Sequence, residues 1–512
     1  MMRFAILVSV FSVLTQFSLQ AKPTFSAAPT FHRDIAPIVY AHCMVCHRVG
    51  ESAPFALTNY EEVSKKARTI ERAVEDRYMP PWHAGESSPH FLDERRLSDE
   101  EIATIVAWVD GGKLEGDPAD APEKPSFPTG WRLGEPDMVL TMDAGYSVPA
   151  DGPDIYRNFV LPLDLAEDKW IKAVELRASA PTVVHHALYF LDDSGTARKL
   201  DGKDGQPGFT GMSFRQSGSL GGYVPGTTPR LLPGDLARPL PKGSDLILSS
   251  HFHPSGKPEL EQTQVGLYFA DAPPTRTLHE VQVPPAFGRK AGIDVPANET
   301  LTITDSFTLP VETEAVAISG HAHYICDSMT MVATLPDGTE QVLLDIPEWD
   351  LDWQDTYYFG EEYILPSGTL LTTTITYDNT AENPSNPFHP PQRIKWGRDS
   401  TDEMGSITLL VVPAEQDDST QLTRSVRREH AELFAELAKE LINSRVADRL
   451  PQIVRGLDGD GDGQLHATEL PSRMRKALLL RLDADGNETL DAAEIQALQD
   501  WLISLREGSV ES

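Results

Sequence analysis

Only three cysteines, Cys43, Cys46 and Cys326, occur in 512 residues. An exported fold that relied on disulfides would carry a larger, even number. Stability must therefore come from hydrophobic cores and bound metals. Basic charge is also scarce, 44 Lys and Arg against 77 Asp and Glu for a net charge of −33. So acidic a chain repels phosphate backbones, and nucleic acid is not an expected partner. After residue 21 no stretch approaches the ~20 apolar residues of a membrane span, and none is expected. What is present is ordinary globular material: 40% apolar residues plus 36 glycines exclude wholesale disorder. The length is roughly three to four times a typical domain of ~150 residues and predicts several modules. Residues 1–21 begin Met1-Met2-Arg3 and continue as an apolar run interrupted by Ser9, Ser12, Thr15 and Gln16, with small or polar residues near Ala21. This is the layout of a cleavable signal peptide and predicts export to the periplasm or beyond.

Residues 43–47 read C-M-V-C-H. At this spacing two thiols can bond the vinyl groups of a haem while the next imidazole ligates iron. Cys43 and Cys46 are the expected tethers and His47 the proximal ligand. A helix is expected from Ser98, where Glu101 completes a capping box and Ile102, Ile105, Val106 and Val109 follow at helical spacing until Gly111-Gly112. The segment 22–115 resembles a small all-α cytochrome c domain, which implies a sixth ligand, usually methionine, on a downstream loop. Met79 in Y-M-P-P-W fits that loop, with His83 as its competitor. Thioether ligation would raise the haem potential and suit one-electron transfer.

Residues 116–130 carry four prolines and read as a stiff linker. From 131 to 413 short alternating runs such as LTITDSFTL and LLTTTITY predict all-β jelly-roll or sandwich structure, long enough for two domains, 131–272 and 273–413. The histidines here are grouped: His185-His186, His251-Phe252-His253 and His321-Ala322-His323. Such groups suit zinc, copper, iron or nickel. On a strand, residues i and i+2 share a face, so His321 and His323 can chelate one ion. Adjacent His185 and His186 can serve one metal only if the strand twists or bulges between them.

The series V-V-H-H-A-L-Y-F, S-S-H-F-H, G-H-A-H-Y and D-E-M-G resembles the copper type II ascorbate-dependent monooxygenases, which include the peptidylglycine and dopamine hydroxylases. The resemblance covers about residues 135–413. It implies one copper held by His185, His186 and His251 for electron transfer, and a second held by His321, His323 and Met404 where oxygen is activated. His253 is an alternative to His251. A soft thioether favours Cu(I) over zinc, which makes Met404 the discriminating residue. The peptide enzyme has an arginine and a tyrosine for its substrate at positions that are here Ser319 and Thr408, so peptide amidation is not expected. Cys326 reads as a buried thiol. Trp353 and the stretch 377–387 resemble bacterial members of the group and are read as packing and loop structure.

Residues 414–445 read as a polar connector with a helix from about Ser425 to Asn443, and 446–512 as an α-helical calcium-binding pair. In the first loop Asp458, Asp460, Asp462, Gln464 and Glu469 fall at ligand positions, with Gly463 at the turn. In the second, Asp483, Asp485, Asn487, Thr489 and Glu494 do so, but Glu488 replaces the turn glycine and predicts weaker binding. The resemblance to EF-hand pairs implies a short β contact through Leu465 and Leu490. The modules together predict an exported monooxygenase using two coppers, covalent haem c and calcium. It would act with O2 on a small-molecule or peptide substrate and take electrons from an unknown donor. The alternative is a haem and copper protein that only transfers electrons or holds metal.

Overall fold

The computed structural model describes residues 27–128, 130–212, 214, 216–428, 464–466, 489–491 and 494–495. The expected signal segment, residues 1–21, lies outside them. The described chain is mostly β-sheet with few helices and divides into two compact units.

One unit comprises the described residues 27–49, 55–81 and 95–126. Helical turns run from Phe31 through Cys43. The helix Tyr60–Glu75 is capped by Asn59, whose side chain accepts from the Glu62 amide, and buries Val63, Ala67, Ile70 and Val74 along one stripe. The helix Asp99–Asp110 starts at Ser98 with a reciprocal capping box to Glu101 and stops at Gly111. Trp108 is buried near Phe31, and its indole N–H donates to the Leu114 carbonyl at 2.9 Å.

The other unit takes in residues 50–54, 82–94 and the chain from 127 onward. Four four-stranded antiparallel sheets dominate it. In the first half, Ile155–Pro162, Asp245–Phe252, Val184–Asp192 and Gly218–Tyr223 form one sheet. Met138–Thr141, Gln264–Phe269, Lys169–Arg177 and Arg238–Leu240 form another. Both contribute to one core that includes Leu161, Val184, Leu248, Phe252, Val265 and Leu267. In the second half, His279–Val283, Gly405–Pro413, Thr313–Ala322 and Thr356–Leu365 face Thr300–Thr308, Leu370–Asp378, Cys326–Thr334 and Glu340–Ile346 across a second core. In Leu370–Asp378 the alternation expected of a half-buried strand puts Leu371, Thr373, Ile375 and Tyr377 inward.

Three features depart from the sequence-based boundaries. Residues 82–94, assigned by sequence to the first module, pack on the second β half: Ala84 and Phe91 join its core, and Phe91 bridges Phe359. Burial of large rings outweighs proximity in sequence. Residues 116–126 group with the helical unit, so the linker is shorter than its composition suggests. The connector helix begins by Ser419, not Ser425, because Leu422 is buried in the second core and Val426 packs against it. Beyond 428, Leu465–His466 pairs antiparallel with Thr489–Leu490, Leu465 opposite Leu490, both buried. Of the expected calcium ligands, Gln464, Thr489 and Glu494 are described; Asp458, Asp460, Asp462, Glu469, Asp483, Asp485 and Asn487 lie outside the described residues.

Candidate metal centres

Strand register assembles the first histidine cluster. His186 lies opposite His251, and the pairing shifts between Val184 and His186, so His185 is the extra residue of a bulge. The bulge lets two adjacent imidazoles approach one point. One ligand atom from each of His185, His186 and His251 lies within 4.8 Å of the others. His251 Nε2 is 2.8 Å from Asp154 Oδ2. Its Nε2–H donates to that carboxylate, so Nδ1 keeps a lone pair, 3.3 Å from Nδ1 of His186. Nδ1 of His185 is buried with no hydrogen-bond partner. His253 instead bonds the other oxygen of Asp154 through Nδ1 at 2.7 Å, and its side chain is 64% exposed against 1% for His251. The cluster therefore draws on His251 and leaves His253 outside.

The second set is built where the end of Thr313–Ala322 pairs with the start of Gly405–Pro413, His321 opposite Ser406. His321 Nε2 sits 3.1 Å from Met404 Sδ. The His321 and His323 rings are 5.5 Å apart, nearly perpendicular. Each ring donates from Nδ1, His321 to Gln354 Oε1 at 2.5 Å and His323 to the Asp402 carbonyl at 3.2 Å, which leaves Nε2 of His321 as a lone pair; His323 also meets the Asp399 backbone. Fully buried Glu403 accepts the backbone N–H groups of His323, Met404 and Ile325 at 2.6, 2.8 and 3.1 Å. Burial pushes its carboxyl up to about 8, against those hydrogen bonds.

Burial favours the neutral form of His186, His251, His321 and His323, the form that metal ligation requires. Burial, then the neighbouring rings of His251, His185 and His321, holds His186 well below the usual imidazole range. His251 is lowered to about 4 by burial and by His185, against the pull of Asp154. Burial likewise lowers His321 and His323 to about 4, with His323 adding to the effect on His321. Burial works to raise Asp154, but the bonds from His251 and His253 hold it below the ordinary carboxylate range.

The chain matches no protein-family model and no curated protein. Among solved structures it is similar to the major capsid protein P2 of bacteriophage PM2, at 12% identity over 54% of this chain and 96% of that one, TM-score 0.21. PNGase F, a glycosylasparaginase from Flavobacterium meningosepticum, is similar to the same degree, 12% identity over 54% and 96%, TM-score 0.21. Scores this low bear on neither fold nor chemistry.

Sequence reasoning missed the residues that aim the ligands: Asp154, Gln354 and Glu403. Only Glu403, adjacent to Met404, carried a signal. It also missed Tyr156, which stacks on His251 with ring centroids 4.2 Å apart and hydrogen-bonds Tyr324. Trp353, assigned no chemistry, lies 6.5 Å ring to ring from His185. The positively turned backbone at Ala286 and Phe287 (φ 52° and 55°) sets the half-exposed Phe287 ring edge-on to His321 at 5.1 Å. Ser319 and Thr408 face each other across the sheet, with no cationic side chain at either position. Cys326 is buried, and its thiol donates weakly to the Ser328 carbonyl.

In the helical unit the Cys43–His47 turn is closed by the His47 amide on the Cys43 carbonyl at 2.9 Å. His47 Nδ1 donates to the Phe55 carbonyl at 3.0 Å, so Nε2 is the nitrogen left for a metal. Met79 belongs to this unit, whereas His83 belongs to the other and bonds the Glu348 carbonyl through Nδ1 at 3.2 Å.

Proposed function

We propose that the chain is an exported copper-dependent monooxygenase that hydroxylates a C–H bond of a small-molecule or peptide substrate. It would belong with the copper type II ascorbate-dependent monooxygenases, with two jelly-roll copper domains fed by a cytochrome c domain and braced by a calcium-binding EF-hand pair. The observation that carries the reading is the second donor set: two buried imidazoles, one of which turns Nε2 to a thioether sulfur 3.1 Å away because its Nδ1 is occupied. Zinc and other borderline ions prefer nitrogen, oxygen or thiolate; a thioether with imidazoles suits copper. Copper held there would supply oxygen activation, which needs no protein general base. The first set, three imidazoles without sulfur, would hold the electron-transfer copper.

The protein's own part is placement. Asp154 sets the tautomer of His251, Gln354 that of His321, and Glu403 ties the His323 backbone to Met404. Burial keeps the four most enclosed rings neutral. On the helical unit, Cys43 and Cys46 would tether haem, and His47 through Nε2 and Met79 through its thioether would be the residues to ligate its iron. Hydroxylation by O2 consumes two electrons and two protons and releases one water; a haem held on the helical unit would supply electrons singly, and copper ions held at both centres would store the pair. The deciding experiment is substrate-dependent oxygen uptake by the reduced, copper-loaded protein across a panel of C–H substrates. Uptake that is lost in Met404→Ala supports the reading. Copper bound at both centres with no uptake on any substrate would leave an electron carrier in its place.

A further inference from the structure

We propose that the turn Asp350–Gln354 is a coupling element that positions ligands of both centres at once, so that occupancy of one is felt at the other. The inference rests on reading the two donor sets as copper centres. The turn is internally braced. Asp350 caps it by accepting the Asp352 amide at 2.9 Å, the Trp353 amide returns to the Asp350 carbonyl at 3.2 Å, and Leu351 is buried beneath it.

From this turn, contacts run both ways. Asp352 Oδ1 lies 3.7 Å from His185 Nε2, and the Trp353 ring packs beside the same imidazole. Gln354 accepts from His321 Nδ1. Its amide orientation is not free: Nε2 donates to the Leu351 carbonyl at 3.1 Å, which turns Oε1 towards His321. His321 must then carry its proton on Nδ1 and direct the Nε2 lone pair to the side of Met404. Immediately upstream, the Trp349 indole N–H donates to the His323 carbonyl at 3.1 Å. Six consecutive residues thus touch three of the six proposed ligands, drawn from both centres. A shift of this rigid turn cannot move Asp352 without moving Gln354.

The test is copper titration of the full-length, haem-loaded protein, anaerobic Cu(I) against a competing chelator, with EPR of the oxidised forms. Gln354→Leu should weaken copper at the second centre by about tenfold or more, as loss of an orienting partner does elsewhere, with copper still bound at the first centre. Gln354→Glu, which keeps an acceptor, should restore most of the affinity and guards against a folding artefact. Emptying the first centre with His186→Ala should change second-centre affinity by about fivefold or more in the native turn and far less when Asp352→Ala is also present. The same His186→Ala effect with and without Asp352→Ala would overturn the coupling, as would unchanged binding in Gln354→Leu. A native protein that takes up no copper would instead overturn the functional reading, and this inference with it.

Discussion

Replacing Glu403 by alanine removes the acceptor of at least three backbone N–H groups, those of His323, Ile325 and Met404, with that of Cys326 beside them, at a site with no solvent exposure. A buried donor left unsatisfied costs about 1–3 kcal/mol. Three of them give a lower bound of about 3 kcal/mol by the same scale, before any cavity cost. For a β unit of this size each kcal/mol lowers the melting temperature by about 2–4 °C, so the metal-free variant should melt about 6–12 °C below the native protein. Glu403→Gln keeps an oxygen for His323 and Met404, both bonded to Oε1, but turns an NH2 group towards the Ile325 amide. It should lose about 1–3 kcal/mol, one bond instead of three. Scanning calorimetry measures both, and hydrogen exchange of the His323–Ile325 and Met404 amides localises the effect. A Glu403→Ala protein that melts within about 1 °C of native, with those amides still protected, would refute the account, since the scale allows no cost so small for three buried donors.

Three further outcomes are expected. His251→Ala should lose one copper per chain by elemental analysis, whereas His253→Ala, altering an exposed ring outside the cluster, should keep full stoichiometry. Cys326, buried with its thiol pushed well above its ordinary range by burial and by nearby Glu403 and Asp327, should resist alkylation in the folded protein and react only after unfolding; native labelling at Cys326 would contradict its placement. Met79→Ala should lower the haem midpoint potential in a redox titration, because a thioether ligand raises it, while His83→Ala should leave it unchanged.

Much of this was legible along the chain because it depends on local periodicity and local chemistry. The Ser98 capping box, the Gly111 stop, the alternation of Leu370–Asp378 and the need for a bulge at His185-His186 all follow from spacings of a few residues. The grouping of the imidazoles is legible for the same reason. The sequence could not place what approaches from far away. Asp154 reaches His251 across 97 residues, Gln354 reaches His321 across 33, and Glu403 holds His323 across 80. Residues 82–94 leave their sequence neighbours because Phe91 finds a deeper apolar site beside Phe359. Periodicity determines which face of a strand or helix is buried, and the chain carries that information in itself. Which nitrogen of an imidazole keeps its lone pair, and which of His251 and His253 joins the cluster, depends on partners delivered by sheet pairing, and only the folded protein decides it.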